Sequence, residues 1–336
     1  MKKIAYILAA ALVVSSCDKE DDDVDITFNG RTKTSEEEQV EEVQDDRDQD
    51  EQEESGQDAN ANSNANYAYT SAQNLSVPHL NTRNIYKEYY VENADTAVFN
   101  YALEWNEGKL HSQWVAFEFN ALTRQQVVSR SSIDFTWDYT IETEAIVESY
   151  NHTSDGYDRG HLCASADRLY SEEANAQTFY YSNVSPMISK KFNQGYWEKL
   201  ESLFRSWCLS DKYDHVYVAK GGTTDSLLID YVGTTAASDN KIPTTDSEGK
   251  SVKGLYVPKY YFMAILTEKG GEYAAMAFLV EHKEYLMSSY GTADFKSQAV
   301  SIDQLEKFTG IDFFCNLPDQ TEESVESVYD VGDWEW

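Results

Sequence analysis

Within "DGYDRGHLCASADR", Asp155 to Arg168, an arginine, a glycine and a histidine stand in direct succession. A histidine titrates near neutrality, so His161 is suited to take a proton from water. Arg159 presents a planar fork of donors that matches a phosphate, and Gly160 between them lets the backbone turn without a side-chain clash. A histidine beside an arginine is commonly structural, so the weight comes from the residues downstream. "FYYSNVSPM" supplies Asn183, and "FNQGYWEKLESLFR" supplies Asn193, Glu201 and Arg205. Each has a bland alternative: Asn193 as a helix N-cap, Glu201 and Arg205 as an ion pair one turn apart. Each bland alternative holds singly, but all of these residues together at these spacings would be a large coincidence.

These groups need elements to hold them. From Asn193 onward, Trp197, Leu200, Phe204, Trp207 and Cys208 recur at helical spacing and predict one apolar stripe. "WVAFEF" (114–119) and "HVYVAKGG" (215–222) read as strands, and "YYFMAIL" with "YAAMAFLV" reads as a hairpin closed at Lys269-Gly270-Gly271. Ser301 reads as the N-cap of a helix that stops at Gly310, and Asp319 as the cap of a last helix. Strands mixed with helices in this order predict an α+β domain.

The remaining signals concern address and charge. Lys2 and Lys3 precede an apolar run, Ile4 to Val14, of signal-peptide length. It ends in Val14-Ser15-Ser16-Cys17, which resembles a lipoprotein lipobox with Cys17 as the lipidated residue; an ordinary secretory signal is the alternative. The acidic run behind Cys17 resembles a surface-export tag, and a plain solvated tether fits it as well. A lipid anchor would make the membrane a partner and place the chain in the outer membrane of a Gram-negative bacterium. From Asp18 to Asp58 there are 19 acidic residues against 4 basic ones, which predicts a disordered spacer. With the low-complexity stretch after it the spacer runs 18–76, behind a signal peptide at 1–17 and ahead of one domain at 77–336. The whole chain carries a formal charge of −32, so any polyanionic partner would need a local basic groove, expected from Arg159, Arg168, Lys190, Lys191, Lys199 and Arg205. Cys163, Cys208 and Cys315 allow one disulfide, Cys163 with Cys208, or three free thiols. His152, near the motif, reads as an incidental loop residue.

Asp158-Arg159-Gly160-His161, then Asn183, then Phe192-Asn193-Gln194-Gly195-Tyr196-Trp197 through Leu200-Glu201, resembles the DNA/RNA non-specific endonuclease family. These are nucleases of the ββα-metal (His-Me finger) fold, with a central, mainly antiparallel sheet flanked by helices. The likeness extends to "QWVAFEF", "VAKGG", "VPKYYFM" and "TGIDFFCNLPD". It implies sequence-nonspecific cleavage of DNA and/or RNA, bound through backbone phosphates, to 5′-phosphorylated products. It implies His161 as the general base and Asn193 as ligand of a divalent metal, magnesium with manganese as a substitute. Glu201 would orient that metal's waters, Asn183 would support base and metal, and Arg159 and Arg205 would neutralise the phosphate. Arg130 matches a further phosphate-binding arginine, with Arg168, Lys190 and Lys191 as additional phosphate contacts; Asp158 is taken as structural. Ten residues separate Asn183 from Asn193, where some relatives are one shorter. No protein partner is implied. A phosphodiesterase of small or lipid esters, and a degenerate surface binding lipoprotein, are the rival readings.

Overall fold

Residues 26–28, 31–33, 60–93 and 96–336 are described by a computed structural model. Cys17, the signal-like run and most of the acidic spacer lie outside the described residues. In the amino-terminal unit, β1 (Ile26–Phe28) pairs antiparallel with β2 (Arg31–Lys33). The other unit begins earlier than expected. "NANSNANY" is low in complexity but packed: Asn64 is fully buried and its amide donates to the Ala72 and Pro78 carbonyls. Asparagine amides can satisfy backbone groups that a loop would otherwise leave orphaned, which composition alone does not reveal. The boundary at residue 77 therefore moves back to about residue 60.

A seven-stranded antiparallel sheet runs in the order β11-β10-β9-β8-β5-β4-β3. Its members are β3 (Ile85–Asn93), β4 (Thr96–Asn106), β5 (His111–Phe119), β8 (His215–Gly222), β9 (Tyr260–Lys269), β10 (Glu272–Glu281) and β11 (Ala299–Val300). The two strand segments read from sequence, 114–119 and 215–222, are both present. The hairpin is too, its turn made by Gly270 and Gly271, both at positive φ. The β3–β4 hairpin carries the aromatic, β-branched composition of strands and extends the sheet beyond that reading.

Side chains alternate across the sheet. On one face Phe119 meets Phe204, Tyr261 meets Phe192 and Trp197, and Phe278 meets Trp207. On the other, Tyr260 packs on Phe308 and Phe262 on Phe313. The first face carries a small two-stranded unit and a helix. In that unit β6 (Tyr157–His161) pairs antiparallel with β7 (Val184–Ile188). The chain then enters a π-helical stretch, Ser189–Trp197, which runs directly into α2 (Glu198–Leu209). Preceding β7 is α1 (Glu172–Gln177), capped by Ser171. The expected stripe is buried along this helix, but Asn193 lies inside the π-helical stretch and is no N-cap. A wide π turn is a recurrent device at functional sites.

The second face carries α4 (Ile302–Thr309) and α5 (Asp319–Glu326), after a short α3 (Thr292–Lys296). Ser301 and Gln304 form the capping box of α4, and Gly310 at φ 69° closes it, as expected. Asp319 does not cap α5: Pro318 holds that position and the Asp319 carboxylate accepts from the Ala61 amide. Cys163, Cys208 and Cys315 are all buried and free. The Cys163–Cys208 pairing is thereby corrected to three separate thiols that pack as small apolar groups. No helix of the described residues is long and apolar enough to cross a membrane.

Candidate active site

The motif Asp158-Arg159-Gly160-His161 is a strand and not a loop: it is β6, with Gly160 opposite Ser185 and His161 opposite Val184. Gly160 is favoured by contact and not by a turn, because a Cβ there would meet the buried Met187 side chain and force it to shift. β6 delivers Asp158, Arg159 and His161 to a cleft of about 790 Å³. Asn193 reaches the same cleft from the π-helical stretch, and Glu201 and Arg205 from α2, on successive turns. Arg130 lines it as well.

The His161 ring sits 5.1 Å from Phe135 and 5.3 Å from Phe179, centroid to centroid. Burial, then Arg130, Lys220 and Arg159, lowers its pKa to about 3. The imidazole is therefore neutral at physiological pH and has a lone pair for a proton. Its Nε2 is sealed without a hydrogen-bond partner, which leaves Nδ1 as the nitrogen able to meet a water in the cleft.

The Asn193 amide is oriented by its neighbour. Asp158 Oδ2 accepts from Asn193 Nδ2 at 2.9 Å and from Gln194 Nε2 at 2.7 Å. With its nitrogen committed, Asn193 can offer Oδ1 as a neutral hard donor. That oxygen, with the Glu201 carboxylate in the same cleft, fits a divalent ion that keeps most of its waters. Asp158 is thus structural in a specific sense: it orients the Asn193 amide.

Two carboxylates beside the helix, Glu201 and Asp167, are each paired with a cation. Glu201 accepts from Lys220, whose ammonium is fully buried and lies 5.4 Å from the Trp197 ring centre. Desolvation pushes the Glu201 pKa up while Lys220 opposes it. Arg205 Nε donates to Asp167 Oδ1 at 2.6 Å, and Asp167 is fully buried. Burial opposes the Arg205 charge, but Asp167 and Glu201 outweigh it and raise its pKa. The Arg159 guanidinium lies 4.5 Å over Phe135, and that of Arg130 lies 4.8 Å over Phe179. Both arginines rest on aromatic faces with their forks exposed, as a phosphate clamp requires.

The structure therefore brings together His161, Arg159, Asn193, Glu201, Arg205 and Arg130, and it separates the rest. Asn183 is fully buried behind the cleft. Its Oδ1 accepts from the Cys163 amide at 2.8 Å, and its Nδ2 donates to the Cys163 and Thr178 carbonyls. It clamps the chain just past His161 and touches no reacting group, so it is a positioning residue. Arg168 cannot contact substrate: it is fully buried, 4.6 Å from the Phe119 ring and 4.8 Å from Phe117, and donates to the Asn100 and Glu118 carbonyls. Lys191 is engaged by Glu284 at 3.0 Å and Lys199 by Glu198 at 3.2 Å. Neither lines the cleft, and nor does Lys190. The expected groove of six cations is corrected to three arginines, Arg130, Arg159 and Arg205. His152 is no incidental loop residue: it stacks on Tyr181 at 5.3 Å, within 8° of parallel, and forms cleft wall.

Lys220 and Asp167 were missed in the sequence. A lysine inside the apolar run "HVYVAKGG" was a legible signal, since a buried ammonium needs a carboxylate. Asp167 carried no signal of its own.

A family model for DNA/RNA non-specific endonuclease matches residues 80–320. A nuclease of Syncephalastrum racemosum is 30% identical over 224 residues, 65% of this chain and 66% of that protein. Nuclease C1 of Cunninghamella echinulata var. echinulata is 28% identical over 65% of this chain and 81% of its own length. Human mitochondrial endonuclease G is 25% identical over 65% of this chain and 68% of its own length. A chain in "Crystal structure of the EndoG/EndoGI complex: Mechanism of EndoG inhibition" superposes with a TM-score of 0.52 at 21% identity. It covers 68% of this chain and 86% of that one, a likeness of fold. The chain is an endonuclease belonging to the DNA/RNA non-specific endonuclease family.

Proposed function

We propose that the protein hydrolyses phosphodiester bonds of both DNA and RNA without regard to base sequence, leaving 5′-phosphorylated ends. The observation that carries this is the convergence of a neutral, desolvated His161 and an amide-oriented Asn193 on one cleft with three arginine forks. Neither base edges nor a deep base pocket are needed for such a set, because its cations address the backbone.

The reaction follows from what each group can do. A phosphodiester entering the cleft is bound by Arg159 and Arg130, whose aromatic supports fix the guanidinium planes. His161 takes one proton from a water as its oxygen forms a bond to phosphorus, and the arriving phosphate raises the basicity of a ring that is otherwise weakly basic. The P–O3′ bond breaks, and the 3′ oxygen departs with a proton from solvent. Arg205, locked on Asp167, supplies fixed positive charge to the developing pentacovalent phosphate without moving. A divalent ion of the magnesium type, held by Asn193 with Glu201 ordering its waters, would supply charge neutralisation at the phosphoryl and leaving oxygens. Asp158 and Lys220 hold these two side chains in place.

The test incubates the purified chain with supercoiled plasmid and with single-stranded RNA, in magnesium and in chelator. Both polymers should be cut with magnesium, neither with chelator, and added magnesium or manganese should restore cleavage. Persistent cutting in chelator, or hydrolysis of small phosphodiesters with neither polymer touched, would overturn the reading.

A further inference from the structure

On the face of the sheet opposite the cleft, α4 and α5 meet through carboxylates. Asp303 and Glu306 lie one turn apart on α4 and Glu326 is the last residue of α5. One oxygen from each of the three lies within 4.8 Å of the other two. Asp303 is exposed, Glu306 half-buried and Glu326 only 5% exposed. Glu326 Oε1 is sealed from solvent and has no hydrogen-bond partner among the described residues. An ionised carboxylate in that state costs several kcal/mol unless a cation meets it.

No side-chain cation of the described residues pairs with these three acids. The surroundings add negative charge instead: Glu322 and Asp312 lie beside them and share the Asn62 amide, whose Nδ2 donates to Glu322 Oε1 at 2.9 Å and Asp312 Oδ2 at 3.1 Å. The Asn62 Oδ1 is itself buried without a donor. The seam thus holds oxygen acceptors from three segments, α4, α5 and the packed stretch near residue 62, with a surplus of charge.

We propose that Asp303, Glu306 and Glu326 form a calcium-type cation site that fastens α4 to α5. Two oxygens bound to one calcium at about 2.4 Å each can lie up to about 4.8 Å apart, so the observed spacing accommodates a single ion. The ligands are all oxygen, with neither nitrogen nor sulfur, which selects a hard cation. The waters at exposed Asp303 complete its shell, and the site is structural: it is separated from the cleft by the sheet and takes no part in hydrolysis.

Thermal melting of the chelator-treated chain with added calcium chloride tests this. The melting temperature should rise by several degrees and saturate. The rise should survive in Asn193→Ala, which removes the cleft ligand, and vanish in Glu326→Gln and in Asp303→Asn. The second variant alters an exposed side chain and guards against a folding failure of the first. Plasmid cleavage in magnesium should be unchanged in Asp303→Asn. A melting temperature indifferent to calcium would sink the proposal. So would a calcium response lost in Asn193→Ala but retained in Glu326→Gln and Asp303→Asn, since the ion would then sit in the cleft.

Discussion

The two faces of the sheet treat buried carboxylates in opposite ways. Beside the cleft, Glu201 has Lys220, Asp167 has Arg205, and Asp158 has two amides. Beneath α4 and α5, Glu306, Glu322 and Glu326 crowd together with no cationic side chain among the described residues. The first arrangement is balanced within the chain, so the arginine forks over Phe135 and Phe179 stay available for an incoming anion. The second has to be balanced from solution. Negative charge thus takes two arrangements here, orienting cleft side chains on one face and standing without a cationic side chain among the described residues on the other.

The comparison can be broken or sharpened by substitution. The largest effect is expected from His161→Ala, which removes the base while leaving the arginines and Asn193 in place. Turnover should fall about 100- to 10,000-fold, measured by single-turnover plasmid cleavage. A loss below tenfold would mean that another group deprotonates the water. Next, Lys220→Met makes Glu201 resemble Glu326, a buried acid without a cation. It should destabilise the protein by about 3–5 kcal/mol in denaturant titration, because one partner of a buried pair is left alone. Added Glu201→Gln should recover much of that loss; no recovery would show that the pair is not what Lys220 is for.

The smallest effect concerns pH. Burial lowers His152 to about 3, with Arg159 acting in the same direction. The unfolded chain then takes up a proton near the ordinary 6.5 while the folded chain does not, so this contribution to stability is complete above 6.5 and is lost as pH falls from there toward 3. His152→Gln should flatten the dependence of stability on pH by up to about 1.4 kcal/mol per unit in that window. Across the sheet the sign is reversed: burial raises Glu306 to about 8, so its protonation favours the folded state. An unchanged slope in His152→Gln would place that imidazole in contact with water.

How much could be read beforehand follows from the range of the forces involved. The stripe Trp197, Leu200, Phe204, Trp207 and Cys208 was legible because a 3.6-residue period is a local property, and so was the Ser301–Gly310 helix with its own caps. Membership of the cleft was legible where one residue type in one motif suffices, as with His161, Arg159, Asn193, Glu201 and Arg205. Partnership was not. Arg168 stands near the motif like a phosphate ligand, yet 68 residues back along the chain Asn100 offers its carbonyl, and the rings of Phe117 and Phe119 cover it. Whether a charged side chain points to solvent or inward depends on contacts between segments far apart in sequence, and no local pattern encodes them.

The amino-acid sequence by itself determined the family, the α+β class, the main strands and helices, and most of the charged and polar residues that line the cleft. Tertiary structure alone decided that the motif is a strand, that Asp158 and Lys220 fix the Asn193 and Glu201 side chains, and which cations line the cleft. It also decided that three acids from α4 and α5 converge. The physical reason is that burial, which sets both the cost of a charge and its need for a partner, belongs to the packed chain and to no segment of it.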